Sequence, residues 1–138
     1  MSSQSNTPAR PFSLMGLDHI VLRTPDPSTL LGVSAEVWCA IVEREIPKFQ
    51  LTQLRAGRSL IDVIGVDAPL AAENERNVDH FCLRIDPWDE AAIATYLRPY
   101  GLLVEESGIR YGAEGNGPSI YIKDPEGNVV ELKGPPSD

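Results

Sequence analysis

Residues 16–24 turn apolar and are typical of a strand, in which side chains alternate between two faces and one face can be buried. Because successive side chains of a strand point to opposite faces, His19 lies opposite Ile20 and Leu22. The same alternation returns over residues 78–85, which begin a second and similar strand. The apolar faces of both strands are predicted to face a core, and the histidine faces are predicted to line a cavity.

The two predicted strands carry one motif twice. Asp-His-Ile-Val-Leu-Arg at residues 18–23 returns as Asp-His-Phe-Cys-Leu-Arg at residues 79–84. Each copy is followed, at the end of its half of the chain, by an apolar strand with one acid, Asp62 in the first half and Glu131 in the second. The chain is therefore predicted to be a duplication of one module, related by a pseudo-twofold axis.

The periodicity of the remaining residues fills in each module. It predicts a helix over residues 34–44 with Ser34 as its N-cap, and a second helix with Asp86 as its N-cap and Pro87 as its first residue. Further strands are predicted over residues 49–54, 59–64, 102–106, 119–123 and 129–133. A turn is predicted at residues 124–128. The second half thus has the order βαβββ, and the duplication predicts the same order for the first half, which makes the fold class α+β.

Length and composition favour a single compact domain. The chain has 138 residues, and a half of that length can hardly bury a core alone. We predict a mobile arm over residues 1–14, one domain made of module 1 (15–66) and module 2 (77–134), and a tail at 135–138. The net charge of −8 argues against nucleic-acid binding. The sequence shows no apolar run long enough for a membrane span and no signal peptide, and its two cysteines suggest a reduced, cytoplasmic protein.

The duplicated positions carry the candidate chemistry. Two modules packed about a pseudo-twofold axis would bring His19 and His80 together with Asp62 and Glu131. A carboxylate among apolar neighbours is unfavourable unless it is paired or binds a metal. Two imidazoles with one or two carboxylates suit a divalent ion such as Zn, Ni, Co, Mn or Fe. A carboxylate released from the ion, Glu131 or Asp62, could then act as a general base.

The segment Ser-Ile-Tyr-Ile-Lys-Asp-Pro-Glu-Gly-Asn-Val-Val-Glu at residues 119–131, together with the two Asp-His strands, resembles the vicinal oxygen chelate superfamily of glyoxalases, bleomycin-resistance proteins and extradiol dioxygenases. The resemblance spans roughly residues 17–134. It implies paired βαβββ modules in an open, cup-shaped mixed sheet around a divalent metal. It also implies the metal ligands, which are His19, His80, Glu131 and, at a place where glyoxalase I usually has Glu, Asp62.

The resemblance further implies which residues contact substrate. The His-x-x-x-Arg spacing at Arg23 resembles glyoxalase I, Arg84 holds the equivalent place in the second copy, and Ser119 and Tyr121 resemble residues of the fosfomycin thiol transferases. The implied function is a metal-dependent lyase or isomerase that acts on a small α-oxo or thiol-adduct substrate. The implied oligomer is a homodimer, with the site inside one chain or shared between two.

Three alternatives stay open. An extradiol dioxygenase would need only two His and one Glu at Fe(II). A thiol transferase is weakened by the short C-terminus. A metal-free sequestering protein of the bleomycin-resistance kind would not need the ligand set at all.

Overall fold

The computed structural model describes residues 9–37, 39–67, 77–102, 107–123 and 128–137. These residues form one sheet of eight strands and two α-helices, so the predicted α+β class is confirmed. The elements are β1 (Ser13–Thr24), α1 (Pro27–Glu36), β2 (Ile41–Ile46), β3 (Leu51–Ala56), β4 (Ser59–Gly65), β5 (Val78–Asp86), α2 (Glu90–Leu97), β6 (Gly108–Gly112), β7 (Gly115–Lys123) and β8 (Val129–Lys133). Neither helix is long and apolar enough to cross a membrane, and no other described segment is helical over such a length.

The sheet order shows the duplication. The strands run β2-β3-β4-β1-β5-β8-β7-β6, so the second half repeats the order of the first in reverse about the β1–β5 pair. Within each module, the first strand pairs in parallel with the last, β1 with β4 and β5 with β8. The two modules join through antiparallel pairing of β1 with β5. This arrangement places four strands, β4, β1, β5 and β8, side by side at the centre.

The core lies under α2, on the face of the second module opposite to the histidine. Ile93 and Leu97 of the helix pack against the sheet residues Ile85 and Leu132. Phe81 and Leu83 are partly buried against the same cluster, as the period-two pattern of β5 predicts. Phe81, Leu83 and Ile85 therefore face the helix.

The first helix lies earlier in the chain than residues 34–44, so that prediction is wrong. Asp26 is the N-cap of α1, where its carboxylate accepts a hydrogen bond from the Thr29 amide at 3.3 Å. Ile41 and Val42, which we assigned to an apolar helix stripe, instead belong to the edge strand β2 and are 71 % and 50 % exposed. A short apolar segment can satisfy either period, and Cys39, with its φ of 57°, turns the chain into the strand.

The second helix begins later than predicted. Its N-cap is Asp89, whose carboxylate accepts a hydrogen bond from the Ala92 amide at 3.1 Å. Asp86, the predicted cap, is instead the last residue of β5. The Asp-Pro helix start thus occurs in module 1, at Asp26, and not in module 2.

Some predicted boundaries also change, and others lie outside the described residues. β1 begins at Ser13 and Phe12 belongs to the core, and both residues lie within the segment 1–14 that was predicted as an arm. Residues 107–118, which lie between two predicted strands and were assigned to none, contain β6 and the start of β7. Residues 103–106 of the predicted strand 102–106 and residues 124–127 of the predicted turn are outside the described residues.

Candidate metal centre

The four central strands each contribute one of the predicted ligands. Asp62 lies on β4, His19 on β1, His80 on β5 and Glu131 on β8, all within one chain. Glu131 Oε1 lies 3.2 Å from His19 Nε2 and 3.1 Å from His80 Nε2. One potential ligand atom from each of these three residues falls within 4.8 Å of the others. The duplicated motif therefore brings two imidazoles and one carboxylate to a common point.

The Asp before each histidine orients its ring. The carboxylates of Asp18 and Asp79 lie 2.7 Å from Nδ1 of His19 and His80, respectively. In the register of β1 against β5, Leu17 pairs with Leu83 and the next pair skips Asp18.

The skip at Asp18 has a counterpart on the other strand. The pair of Val21 with His80 is followed by Leu22 with Val78, which skips Asp79. Each Asp is thus the extra residue of a β-bulge, and a bulge redirects a side chain that would otherwise point to the opposite face. Because Nδ1 is occupied by the carboxylate, Nε2 is left as the ligand atom of each ring.

The electrostatics of the three residues favour a cation between them. Burial opposes charge on both rings, but the hydrogen bonds to Asp18, Cys82 and Glu131 outweigh it and raise the pKa of His19 to about 12. The pKa of His80 is raised for the same kind of reason. Burial would raise the pKa of Glu131, but hydrogen bonds from both histidines hold it far below its usual range. Without a metal, protons on Nε2 supply the positive charge that this carboxylate requires.

Asp62 lies beside this triad but not within it. Its Oδ2 accepts a hydrogen bond from Gln53 Nε2 at 3.1 Å, while its Oδ1 is buried with no hydrogen-bond partner. Burial raises the pKa of Asp62, although the nearby histidines act in the opposite direction. Asp62 is therefore close enough to feel the charges of the centre and keeps one carboxylate oxygen uncommitted.

The residues present fit a divalent ion. Glu131 Oε2 and Asp62 Oδ1 are buried without hydrogen-bond partners among the described atoms, and an unsatisfied buried carboxylate oxygen is strongly unfavourable. A bond to a metal would satisfy the Glu131 oxygen, and either a metal or a proton would satisfy the Asp62 oxygen. Two neutral imidazoles with fixed Nε2 atoms and one carboxylate are a ligand set of catalytic metal sites that leaves positions open.

The predicted arginine contacts lie away from the three ligands. Arg23 has its Nε 3.7 Å from Asp79 Oδ1, and Arg84 pairs with Glu114 at 2.6 Å. Arg23 thus helps to hold the acid that orients His80. The two arginines extend toward opposite ends of the strands that carry the histidines.

Of the other two predicted substrate contacts, Tyr121 lies next to the centre and Ser119 is hydrogen-bonded to Arg110. The Tyr121 ring is edge-on to His80, with centroids 5.3 Å apart, and Tyr121 pairs with Glu131 across β7 and β8. Ser119 is fully buried, and its hydroxyl accepts a hydrogen bond from Arg110 at 2.8 Å. Tyr121 is therefore the predicted substrate contact that lies at the candidate centre.

Several supporting residues were missed from the sequence. Arg110 stacks its guanidinium over the Tyr121 ring at 4.6 Å. Lys133 is 1 % exposed and donates hydrogen bonds to the carbonyls of Arg110 and Gly117. Gln53 holds the Asp62 carboxylate. Lys133 follows Glu131 by two residues, and period-two geometry therefore places both side chains on one face of β8. The hydrogen-bond partners of a buried lysine, however, cannot be derived from this spacing.

No protein-family model matches the chain, and no curated protein is significantly similar to it in sequence. Solved structures do match. A Mn(II)-bound glyoxalase from Novosphingobium aromaticivorans is 20 % identical with a TM-score of 0.67, over 86 % of this chain and 37 % of that one. Methylmalonyl-CoA epimerase from Streptomyces coelicolor, a variant in complex with 2-nitronate-propionyl-CoA, is 19 % identical with a TM-score of 0.64, over 91 % and 97 %.

A third structure, a glyoxalase/bleomycin resistance protein/dioxygenase superfamily member from Vibrio splendidus 12B01, is 12 % identical with a TM-score of 0.64, over 88 % of this chain and 99 % of that one. At these identities the likeness concerns the fold. The chain has the vicinal oxygen chelate fold, with a curled mixed sheet of eight strands and two helices, as the resemblance of the sequence implied. Within that fold it carries a candidate divalent-metal site.

Proposed function

We propose that the protein is a metal-dependent enzyme, a lyase or isomerase of the glyoxalase kind, that moves a proton next to a carbonyl of a small α-oxo or thiol-adduct substrate. The observation that carries the proposal is the convergence of two Nε2 atoms on one carboxylate, with a second carboxylate beside them. Two of the similar structures, an epimerase in complex with a CoA compound and a Mn(II)-bound glyoxalase, support the same class of substrate and cofactor.

His19, His80 and Glu131 would hold the ion. Bound there, a divalent metal supplies a Lewis acid that stabilises negative charge on adjacent substrate oxygens. Asp18 and Asp79 keep the two rings in the orientation that presents Nε2. Tyr121, edge-on to His80, forms one wall beside the substrate position.

Asp62 is the proposed general base. Gln53 fixes one of its oxygens and leaves Oδ1 free to accept a proton. Burial raises the pKa of this carboxyl group, which strengthens it as a base, since an acid of higher pKa has a more basic anion. A base that does not bind the metal leaves the three-residue ligand set intact during proton transfer.

The second candidate function is ring cleavage by an extradiol-type dioxygenase at Fe(II). It is favoured by one observation, that the compact cluster contains two histidines and one glutamate and does not include Asp62. Such a triad with open positions is the ligand set of non-haem Fe(II) oxygenases.

Metal content and the variant Asp62→Asn test these proposals together. Protein purified without chelator is analysed for metals, reloaded with Mn, Fe, Co, Ni or Zn, and assayed with hemithioacetals, α-epimerisable thioesters and catechols. We expect one ion per chain, and a proton-transfer activity that Asp62→Asn reduces by more than 100-fold while metal stoichiometry stays at one. Catechol cleavage that survives Asp62→Asn would establish the dioxygenase instead.

A matched control variant shows whether the effect of Asp62→Asn is specific to the centre. Asp67 is an exposed acid that follows β4, the strand that carries Asp62. Asp67→Asn therefore makes the same chemical change outside the centre. We expect it to retain both metal and activity. Absence of bound metal after reloading with all five ions would contradict the enzyme proposal and favour a sequestering protein.

A further inference from the structure

A concave site lies beside residues 15–18 of β1, and its wall does not include the three metal-binding side chains. It is a cavity of about 650 Å³ whose wall includes Met15, Leu17, Arg55, Arg58 and Arg84. Three guanidinium groups around one cavity contrast with the chain as a whole, which carries a net charge of −8. The cavity also has Asp18 in its wall, so it shares one residue with the metal centre.

The acids near the cavity, among them Glu114 in its wall, pair with two of its three arginines and leave Arg58 without an acid partner among the described residues. The Asp18 carboxylate is 3 % exposed and is committed to His19 Nδ1 at 2.7 Å and to the Ala113 amide at 2.8 Å. Glu114 pairs with Arg84 at 2.6 Å through a half-exposed side chain. Glu43 forms two hydrogen bonds of 2.8 Å with the Arg55 guanidinium.

N–H donors nevertheless stay uncommitted to any described residue on all three arginines. No described residue forms a hydrogen bond or an ion pair with the side chain of Arg58, which follows the Ala56–Gly57 turn between β3 and β4. Arg84 uses Nε and Nη1, toward Glu114 and the Ile85 carbonyl, and Arg55 uses Nε and Nη2. Guanidinium groups bind carboxylates and phosphates through paired N–H donors.

Another part of the wall is apolar. Met15 and Leu17 are 62 % and 47 % exposed. Next to them, the Ser59 hydroxyl donates to the Leu17 carbonyl at 2.7 Å and fixes the backbone of the wall. A ligand that combines an anionic head with a short apolar tail would meet both arginine donors and apolar side chains in this cavity.

We propose that this cavity binds a small organic oxyanion, a carboxylate or a phosphate ester with a short apolar chain. The site is separate from the metal centre, because none of the residues that line it supplies an Nε2 or a carboxylate oxygen of the His19, His80 and Glu131 cluster. It depends on neither the metal nor the reaction proposed above.

The test is a titration of the full chain, followed by two-dimensional NMR of its backbone amides, with butyrate, butyl phosphate and n-butanol as probes. We expect either or both anions to shift the amides of Gly16, Ser59 and Ala113, and the matched uncharged n-butanol to shift them much less. Binding of butyrate alone assigns a carboxylate, and binding of butyl phosphate alone assigns a phosphate ester. Shifts as large with n-butanol, or none with either anion, would overturn the proposal.

Arginine variants locate the binding. Arg58→Gln removes an exposed side chain and leaves the fold intact, and we expect it to weaken binding of the anion about tenfold, as for the loss of a charge-assisted hydrogen bond. Arg98→Gln, at an exposed position after α2, is the matched control and should leave the affinity unchanged. Equal weakening by the two variants would mean non-specific attraction and would overturn the proposal.

Discussion

Replacing Glu131 by Gln tests the electrostatics of the centre most sharply. The change removes one negative charge and keeps the shape of a side chain that is 1 % exposed. The carboxylate lies 3.1 and 3.2 Å from two imidazole nitrogens. At an effective dielectric constant of about 20, unit charges about 3 Å apart attract by about 5 kcal/mol, before the cost of desolvation is subtracted.

After that subtraction we take the loss in the free energy of metal binding as about 3 kcal/mol, which raises the dissociation constant about 100-fold. We therefore expect Glu131→Gln to bind Co(II) at least 100-fold less tightly than the parent, measured by competition with a chromophoric chelator. In the metal-free variant, the pKa values of His19 and His80 should both fall, because the carboxylate that favours their charged forms is gone.

The matched control is Glu45→Gln, on the exposed edge strand β2. It should bind Co(II) like the parent. A Glu131→Gln protein that binds Co(II) within threefold of the parent would refute the assignment of Glu131 as a ligand.

Three further predictions concern protons, positioning and the core. At pH 6.5, binding of one divalent ion should release at least one proton, because the pKa of His19 is raised to about 12 in the metal-free protein and the pKa of His80 is also raised; calorimetry in buffers of different ionisation enthalpy measures the number, and no release would contradict the charged state. Asp79→Asn should weaken metal binding about 10- to 100-fold, since the ring it orients loses its carboxylate partner; an unchanged affinity by chelator competition would show that orientation does not matter. Ile93→Ala, at a fully buried position under the second helix, should lower the free energy of unfolding by about 2 to 5 kcal/mol in urea titrations, whereas Val37→Ala, at a 61 % exposed site, should change it by less than about 0.5 kcal/mol.

The duplicated Asp-His motif was sufficient to predict the modules and the meeting of their strands. Strand alternation then placed Phe81 and Leu83 on the core face and His80 on the other. These features follow from local periodicity, which a sequence displays directly. The first helix was misplaced because Ile41 and Val42 are apolar at a spacing that suits a helix, while their role as edge-strand residues depends on the pairing of β2 with β3.

The supporting shell of the site could not be predicted from spacing. Period-two geometry puts Asp18 and Asp79 on the face opposite to the histidines that follow them, but a bulge at each position turns the acid toward the ring. The strand β6 was missed because glycines at both of its ends weaken the strand pattern of Gly108–Gly112. The fold supplies its partner strand β7, and pairing overrides the low propensity.

The position of a bound ion would test the central claim directly, that strands from the two modules hold one metal between them. Crystals of the protein loaded with one equivalent of Co(II), measured on both sides of the cobalt absorption edge, show the ion by anomalous scattering. We predict one peak about 2.0–2.2 Å from Nε2 of His19, Nε2 of His80 and a carboxylate oxygen of Glu131. The account would be contradicted by a cobalt ion bound elsewhere while His19 and His80 keep their hydrogen bonds to Glu131.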